Sequence, residues 1–157
     1  MVILICGTIC AGKTAYAGRL LDRRKARLLS ADEAVYVRKK ADPAAAHDAL
    51  LQRVKRDLLE KAAELARGGT DVILDWGFWT KAEREKISAF FAHRGIPHEW
   101  HYVHADPKTI ERNIADRNTS KADYEFYADE GLRKKVNGLF EPPDPSEVNV
   151  WIENRRE

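Results

Sequence analysis

The sequence lacks the features that mark several common protein classes. It has only two cysteines, Cys6 and Cys10, with three residues between them. A small disulfide-stapled domain carries more, at wider spacing, so these read as reduced thiols, one buried and one beside a ligand. No second Cys or His pair lies near enough to make them a zinc site. His98, His101 and His104 recur every third residue, which does not place them on one face of a strand. They read as surface or core histidines, and His47 and His93 carry no signal. Long apolar runs are also missing. Residues 1–6 are too few for a signal peptide and Lys13 follows closely, so the expected location is cytoplasmic, with no membrane partner. An excess of one charge is missing too: 27 basic and 25 acidic residues leave +2, which argues against long nucleic acid while allowing a local basic patch. Oligomeric state is not legible.

What is present is a soluble, densely charged composition, 44% hydrophobic and 33% charged, and its 157 residues suit one domain with a real core. Val2 to Cys6 is a short, β-branched apolar run ending at Gly7, as a fully buried parallel strand reads. Helical spacing follows from Gly12 to about Arg24. Arg27 to Ser30 is a strand candidate, and Asp32 to Lys40 a short helix. Asp42 and Pro43 suit an N-cap and first turn, predicting a long amphipathic helix to Arg67 with Leu50, Leu51, Val54, Leu58, Leu59 and Leu65 on one face. Asp71 to Asp75 is a third strand. Thr80 caps a helix to about Arg94, Pro97 to Val103 is a fourth strand, and Pro107 to Arg117 a further helix. Residues 118–122 read as a polar turn, Asp123 to Leu139 as a helix, Glu141 to Glu147 as an irregular connector and Val148 to Ile152 as the last strand. Strands alternating with helices predict an α/β fold with a mostly parallel five-stranded sheet covered on both faces.

Gly7 to Thr14 reads G-T-I-C-A-G-K-T, a complete GxxxxGK[ST] pattern between a buried strand and a helix. Gly7 lets the chain leave the strand, and Gly12 lets backbone approach phosphate oxygens. Backbone N–H groups over Gly7, Thr8, Cys10, Ala11, Gly12, Lys13, Thr14 and Ala15 would meet a triphosphate at the positive end of a helix. Lys13 would neutralise the β- and γ-phosphates, and the Thr14 hydroxyl is the expected Mg²⁺ ligand. The D-x-x-G and N-K-x-D motifs of a GTPase switch are absent, which leaves a kinase-type or ATPase-type protein.

Weaker signals fit around this motif. Asp32, after the second strand, is either a general base for an attacking hydroxyl or a helix N-cap. Asp75 ends the third strand, where ligands gather in parallel sheets. It holds Mg²⁺ through water or orients the acceptor, or is an ordinary strand-terminal residue. Trp76, Phe78 and Trp79 follow; one or two of them, Trp76 and Phe78 above all, would wall an acceptor pocket, and the rest would pack under the next helix. Arg112, Arg117, Lys121, Arg133, Lys134 and Lys135 belong either to a segment that closes on the triphosphate or to a solvated face, the latter favoured for Lys134 and Lys135.

Together GTICAGKT, LLSADE, VILDWGFWTKAERE, Arg112 with the RN at 117–118, and FEPPDPSE resemble small P-loop kinases of the polynucleotide-kinase-like, zeta-toxin-like and chloramphenicol-phosphotransferase-like ATP-binding group, over nearly the whole chain. The resemblance implies a three-layer P-loop NTPase sandwich with an adenylate-kinase-like core, one domain over residues 1–157 and a short lid around 112–135. It implies ATP·Mg²⁺ as donor, Asp32 as base, Asp75 as strand-end acid, Arg112 and Arg117 as lid arginines, and residues 142–145 near the adenine. The T-I-C-A stretch departs from the commoner Pro and Ser-Gly loops without removing an essential donor, and it opens the loop to thiol oxidation. The expected activity is transfer of the γ-phosphate of ATP to a hydroxyl of a small molecule. The alternatives are a nucleotide or nucleic-acid 5′-hydroxyl acceptor, and a regulatory or toxin-type nucleotide-binding module without small-molecule turnover.

Overall fold

The computed structural model describes residues 1–120 and 130–155. The central strand β1 (Val2–Cys6) is buried throughout. Its alternating side chains serve two cores: Val2, Leu4 and Cys6 face one layer, Ile3 and Ile5 the other. A strand buried on both faces has no polar position to spare, which is why its sequence shows no alternation. The other strands are β2 (Ala26–Ser30), β3 (Asp71–Asp75), β4 (His98–Ala105) and β5 (Val150–Asn154). They form one sheet in the order β2-β3-β1-β4-β5. Every pairing is parallel. β1 therefore lies between β3 and β4, and the chain leaves it at the point where the strand order reverses, where ligands bind open α/β sheets.

The helices are α1 (Lys13–Arg23), α2 (Ala31–Ala41), α3 (His47–Arg67), α4 (Lys81–His93), α5 (Pro107–Ser120) and α6 (Glu130–Leu139). Val35 of α2, Leu50 and Val54 of α3, and Ile87 and Phe91 of α4 pack on the face of Val2 and Leu4. Ala17 of α1 packs on the face of Ile3 and Ile5, with Leu20 of α1 and Ile110 of α5 against it. The element order and the two covered faces are those expected from the sequence. No helix among the described residues is long and apolar enough to cross a membrane.

Several boundaries differ. The Asp42 N–H closes α2 on the Arg38 carbonyl, and the Asp42 carbonyl accepts from the Ala45 N–H, so Asp42 and Pro43 make a turn. The long helix accordingly starts at His47. Asn118, Thr119 and Ser120 continue α5 where a polar turn was expected, the Thr119 hydroxyl donating back to the Ala115 and Asp116 carbonyls. Pro145–Glu147 is a 3-10 turn rather than irregular chain, closed by the Asp144 N–H donating to the Glu147 carboxylate at 2.7 Å. β5 begins at Val150 because Asn149 is already committed to Trp100, accepting its N–H at 2.8 Å. The expected helix segment 123–129 lies outside the described residues.

Candidate active site

The loop from Gly7 to Gly12 joins β1 to α1. Cys10 (φ 58°) and Gly12 (φ 98°) take left-handed backbone. Such residues within a turn gather N–H groups into a concavity that suits an anion. Gly12 has no alternative: a Cβ there would stand 2.2 Å from the Asn154 Nδ2. Two amides hold the loop from outside. The Asn113 Nδ2 donates to the Cys10 carbonyl and the Asn154 Nδ2 to the Ala11 carbonyl, each at 2.8 Å. Thr8 and Cys10 are half-buried, Gly7 and Ala11 buried, and Ala15 is exposed on the first turn of α1. The Lys13 Nζ folds back to donate to the Thr8 carbonyl at 2.7 Å. Loss of solvent pulls the Lys13 pKa down, against the attraction of Asp75 and Asp32. The Thr8 hydroxyl is buried without a hydrogen-bond partner, an orphan lying in the loop itself. Both cysteines are free thiols. Burial pushes that of Cys6 up to about 11, while Cys10 sits in the loop with its Sγ 3.9 Å from the Arg117 Nη1.

The carboxylates come from the ends of β3 and the start of α2. Asp75 is buried and accepts from the Thr14 hydroxyl at 3.1 Å. Desolvation raises its pKa, opposed by Lys13 and by that hydrogen bond. Asp32 does not cap α2. Ser30 does, its hydroxyl accepting from the Glu33 N–H. Asp32 is thereby left free of the helix end and lines a cavity of about 290 Å³ together with Lys13, Thr14 and Asp75. It opens to water within that cavity, yet the surrounding walls still disfavour its charged form and Asp75 repels it, so its pKa is raised. The hydroxyl and carboxylate of Thr14 and Asp75 are hard oxygen donors side by side, a pairing that fits Mg²⁺ held partly by substrate phosphate. Among the described residues no group of three His, Cys, Asp or Glu makes an all-protein cage.

The aromatic segment after β3 divides differently from the sequence reading. Trp76 lines the cavity, and so does Trp79. Phe78 does not. It is fully buried, stacked against Trp76 at 4.5 Å and edge-on to Trp100 at 5.0 Å. The cause is a left-handed turn at Phe78 (φ 47°) that swings its ring inward and the Trp79 ring over Gly77, where a Cβ would lie 1.9 Å from the indole nitrogen. Buried Arg84 holds this turn: its Nη1 donates to the Phe78 and Trp79 carbonyls at 3.0 and 3.3 Å, and its Nε reaches Glu147 at 3.4 Å.

Of the two arginines expected in a lid, Arg117 lines the cavity, whereas Arg112 lies on the exposed side of α5. Lys135, read as a solvated residue, also lines it, as do Glu33, His47, Asp48, Leu51 and Val136. Nothing local in the sequence marks these; α2, α3 and α6 bring them to one end of the sheet. Lys121 and the Arg133 side chain lie outside the described residues. The proline-rich connector does not border this cavity. Pro143 lines a separate one of about 220 Å³ with Cys6, Arg84 and Trp100.

With this geometry the chain was compared with known proteins. A family model described as AAA domain matches residues 2–143. No curated protein matches. Among solved structures, a gluconokinase from Sinorhizobium meliloti 1021 superposes with TM-score 0.70 at 12% identity, covering 99% of this chain and 83% of its own. The APS kinase of Mycobacterium tuberculosis, in complex with AMPPNP and APS, gives 0.66 at 17% identity, covering 99% and 89%. A sugar kinase from Janibacter sp. HTCC2649 gives 0.65 at 16% identity, covering 97% and 84%. The architecture is that of the P-loop kinases.

Proposed function

Because the chain belongs to the AAA domain family, which matches it over residues 2–143, and folds as P-loop kinases do, we propose that it moves the γ-phosphate of ATP to a hydroxyl of a small molecule. The observation that carries this reading is one cavity lined by Lys13, Thr14, Asp32 and Asp75 together, with Trp76 and Trp79 also in its lining. A regulatory module has no need of an acceptor space beside Asp32; an enzyme does. The AMPPNP held by the similar APS kinase supports a nucleoside triphosphate as donor.

In the reaction, the acceptor oxygen bonds to the γ-phosphorus while the bond from that phosphorus to the β–γ bridging oxygen breaks, releasing ADP. Asp32 accepts the hydroxyl proton, for which a raised pKa is suited. Lys13 leaves the Thr8 carbonyl to meet phosphate, and Arg117 adds positive charge as the transferring group spreads its own over its oxygens. Mg²⁺, held by Thr14 and Asp75 together with phosphate oxygens, supplies further charge neutralisation when bound.

The test is a transfer screen with γ-labelled ATP, Mg²⁺ and pools of nucleosides, nucleotides, sugars, aminoglycosides and 5′-hydroxyl oligonucleotides, with Lys13→Ala as the blank. Label on one small-molecule pool, lost in the blank, is expected. Label on oligonucleotides alone would move the assignment to 5′-end phosphorylation, and ATP bound without transfer to any pool would overturn the enzyme reading.

A further inference from the structure

The cavity is electrically lopsided. Lys13 of α1 and Arg117 of α5 give it positive charge, and α2 and α3 contribute the carboxylates of Asp32, Glu33 and Asp48. Among the described residues the lining contributed by α2 and α3 holds one basic group, His47, and Lys135 comes from α6. A phosphorylated or carboxylated acceptor held against α2 and α3 would stand near three carboxylates, which like-charge repulsion opposes. An ammonium group gains from the same field.

The rest of the wall specifies a ring. Half-buried Leu51, backed by Val35 and Val136, gives an apolar surface, and the half-buried Trp79 indole gives a flat face on which a sugar-like ring stacks or a cation rests. Trp76 is 5% exposed, and its Nε1 is a buried donor without a partner. The volume, about 290 Å³, is at the small end for ligand pockets and has room for one ring beside the transferring phosphate.

Resting on the phosphotransfer reading, we propose that the acceptor is a cationic, hydroxylated ring of the amino-sugar or aminocyclitol class, its amine held by Glu33 and Asp48 and its ring by Leu51 and Trp79. Selection is then by charge as well as by shape, and it lies in residues outside the phosphate loop.

The experiment compares initial rates of label transfer from γ-labelled ATP to matched rings: glucosamine and 2-deoxystreptamine, neutral glucose and myo-inositol, and anionic glucuronate and glucose 6-phosphate. The full-length chain is used beside Glu33→Gln and Asp48→Asn. The expected result is kcat/KM at least about tenfold higher for the aminated rings than for their neutral counterparts, with the anions slowest. Either variant should raise KM for the aminated ring several-fold and leave KM for ATP unchanged, a split that general misfolding would not give. Faster transfer to an anionic ring, or equal use of neutral and aminated rings, overturns the charge assignment and leaves the kinase reading standing. Absence of label on every ring, with none in the wider screen, overturns both.

Discussion

Asp32 costs the resting protein stability. Its folded pKa is raised, first by burial and then by Asp75, so its charged form is less welcome in the folded chain than in the unfolded one. The sign follows: the contribution is most favourable to folding below the usual carboxylate range and is lost as pH rises through the higher folded value. Asp32→Asn should therefore melt above the parent protein at pH 7, and the difference should close as pH falls towards 3.8, the ordinary value. Thermal melts across pH in the absence of nucleotide check this; a variant that melts lower at pH 7 would remove the strained-carboxylate account. The same variant should bind ATP and fail to turn over, a stability–activity exchange at one atom pair. Much of the site at this scale was legible, because Gly7 to Thr14 and the ends of VILD and LLSAD carry their chemistry in order along the chain. Phe78 was not. Its inward turn depends on a left-handed φ fixed by Arg84, six residues away in sequence, and by the Trp79 ring closing over Gly77.

Among the elements, α4 does more than cover the sheet. It delivers Arg84 beneath the turn that carries both cavity tryptophans, and the same guanidinium reaches Glu147 in the connector before β5. Arg84→Met would leave two carbonyls and a carboxylate short of a donor, at a cost of roughly 2–4 kcal/mol. Arg84→Lys should recover only part of this, since one ammonium does not reproduce a planar fork. Urea unfolding gives the loss, and quenching of Trp79 fluorescence by acrylamide gives the loosening of the turn; unchanged quenching in Arg84→Met would deny the guanidinium its part in holding Trp79. Helix identity was legible where apolar spacing was strong. The start of α3 was not, because Asp42-Pro43 serves a helix entry and a turn equally well in local terms, and the Arg38 carbonyl decides between them.

Across the whole molecule, the last strand and the first loop depend on each other. Asn154, at the end of β5, fills the space above Gly12 and donates to the Ala11 carbonyl at 2.8 Å, while Asn113 does the same for Cys10 from α5. Loop shape is thus held by residues about a hundred or more positions away, which no local motif records. Asn154→Ala should cost about 1 kcal/mol and weaken ATP binding several-fold by freeing the loop. Calorimetric titration of ATP into this variant measures it; affinity equal to the parent's would show that the loop keeps its shape unaided.

The central position of β1 also bears on how the chain comes off the ribosome. Val2 pairs with Val72 on one side and with His98 on the other. β1 therefore has no strand partner until β3 has been synthesised, a wait of roughly 3–13 s at about 5–20 residues per second. Until then its five adjacent apolar residues have no sheet to enter. The loop after β1 lacks the Asn154 contact until β5 is complete, so its final shape is reached only once β5 has been made.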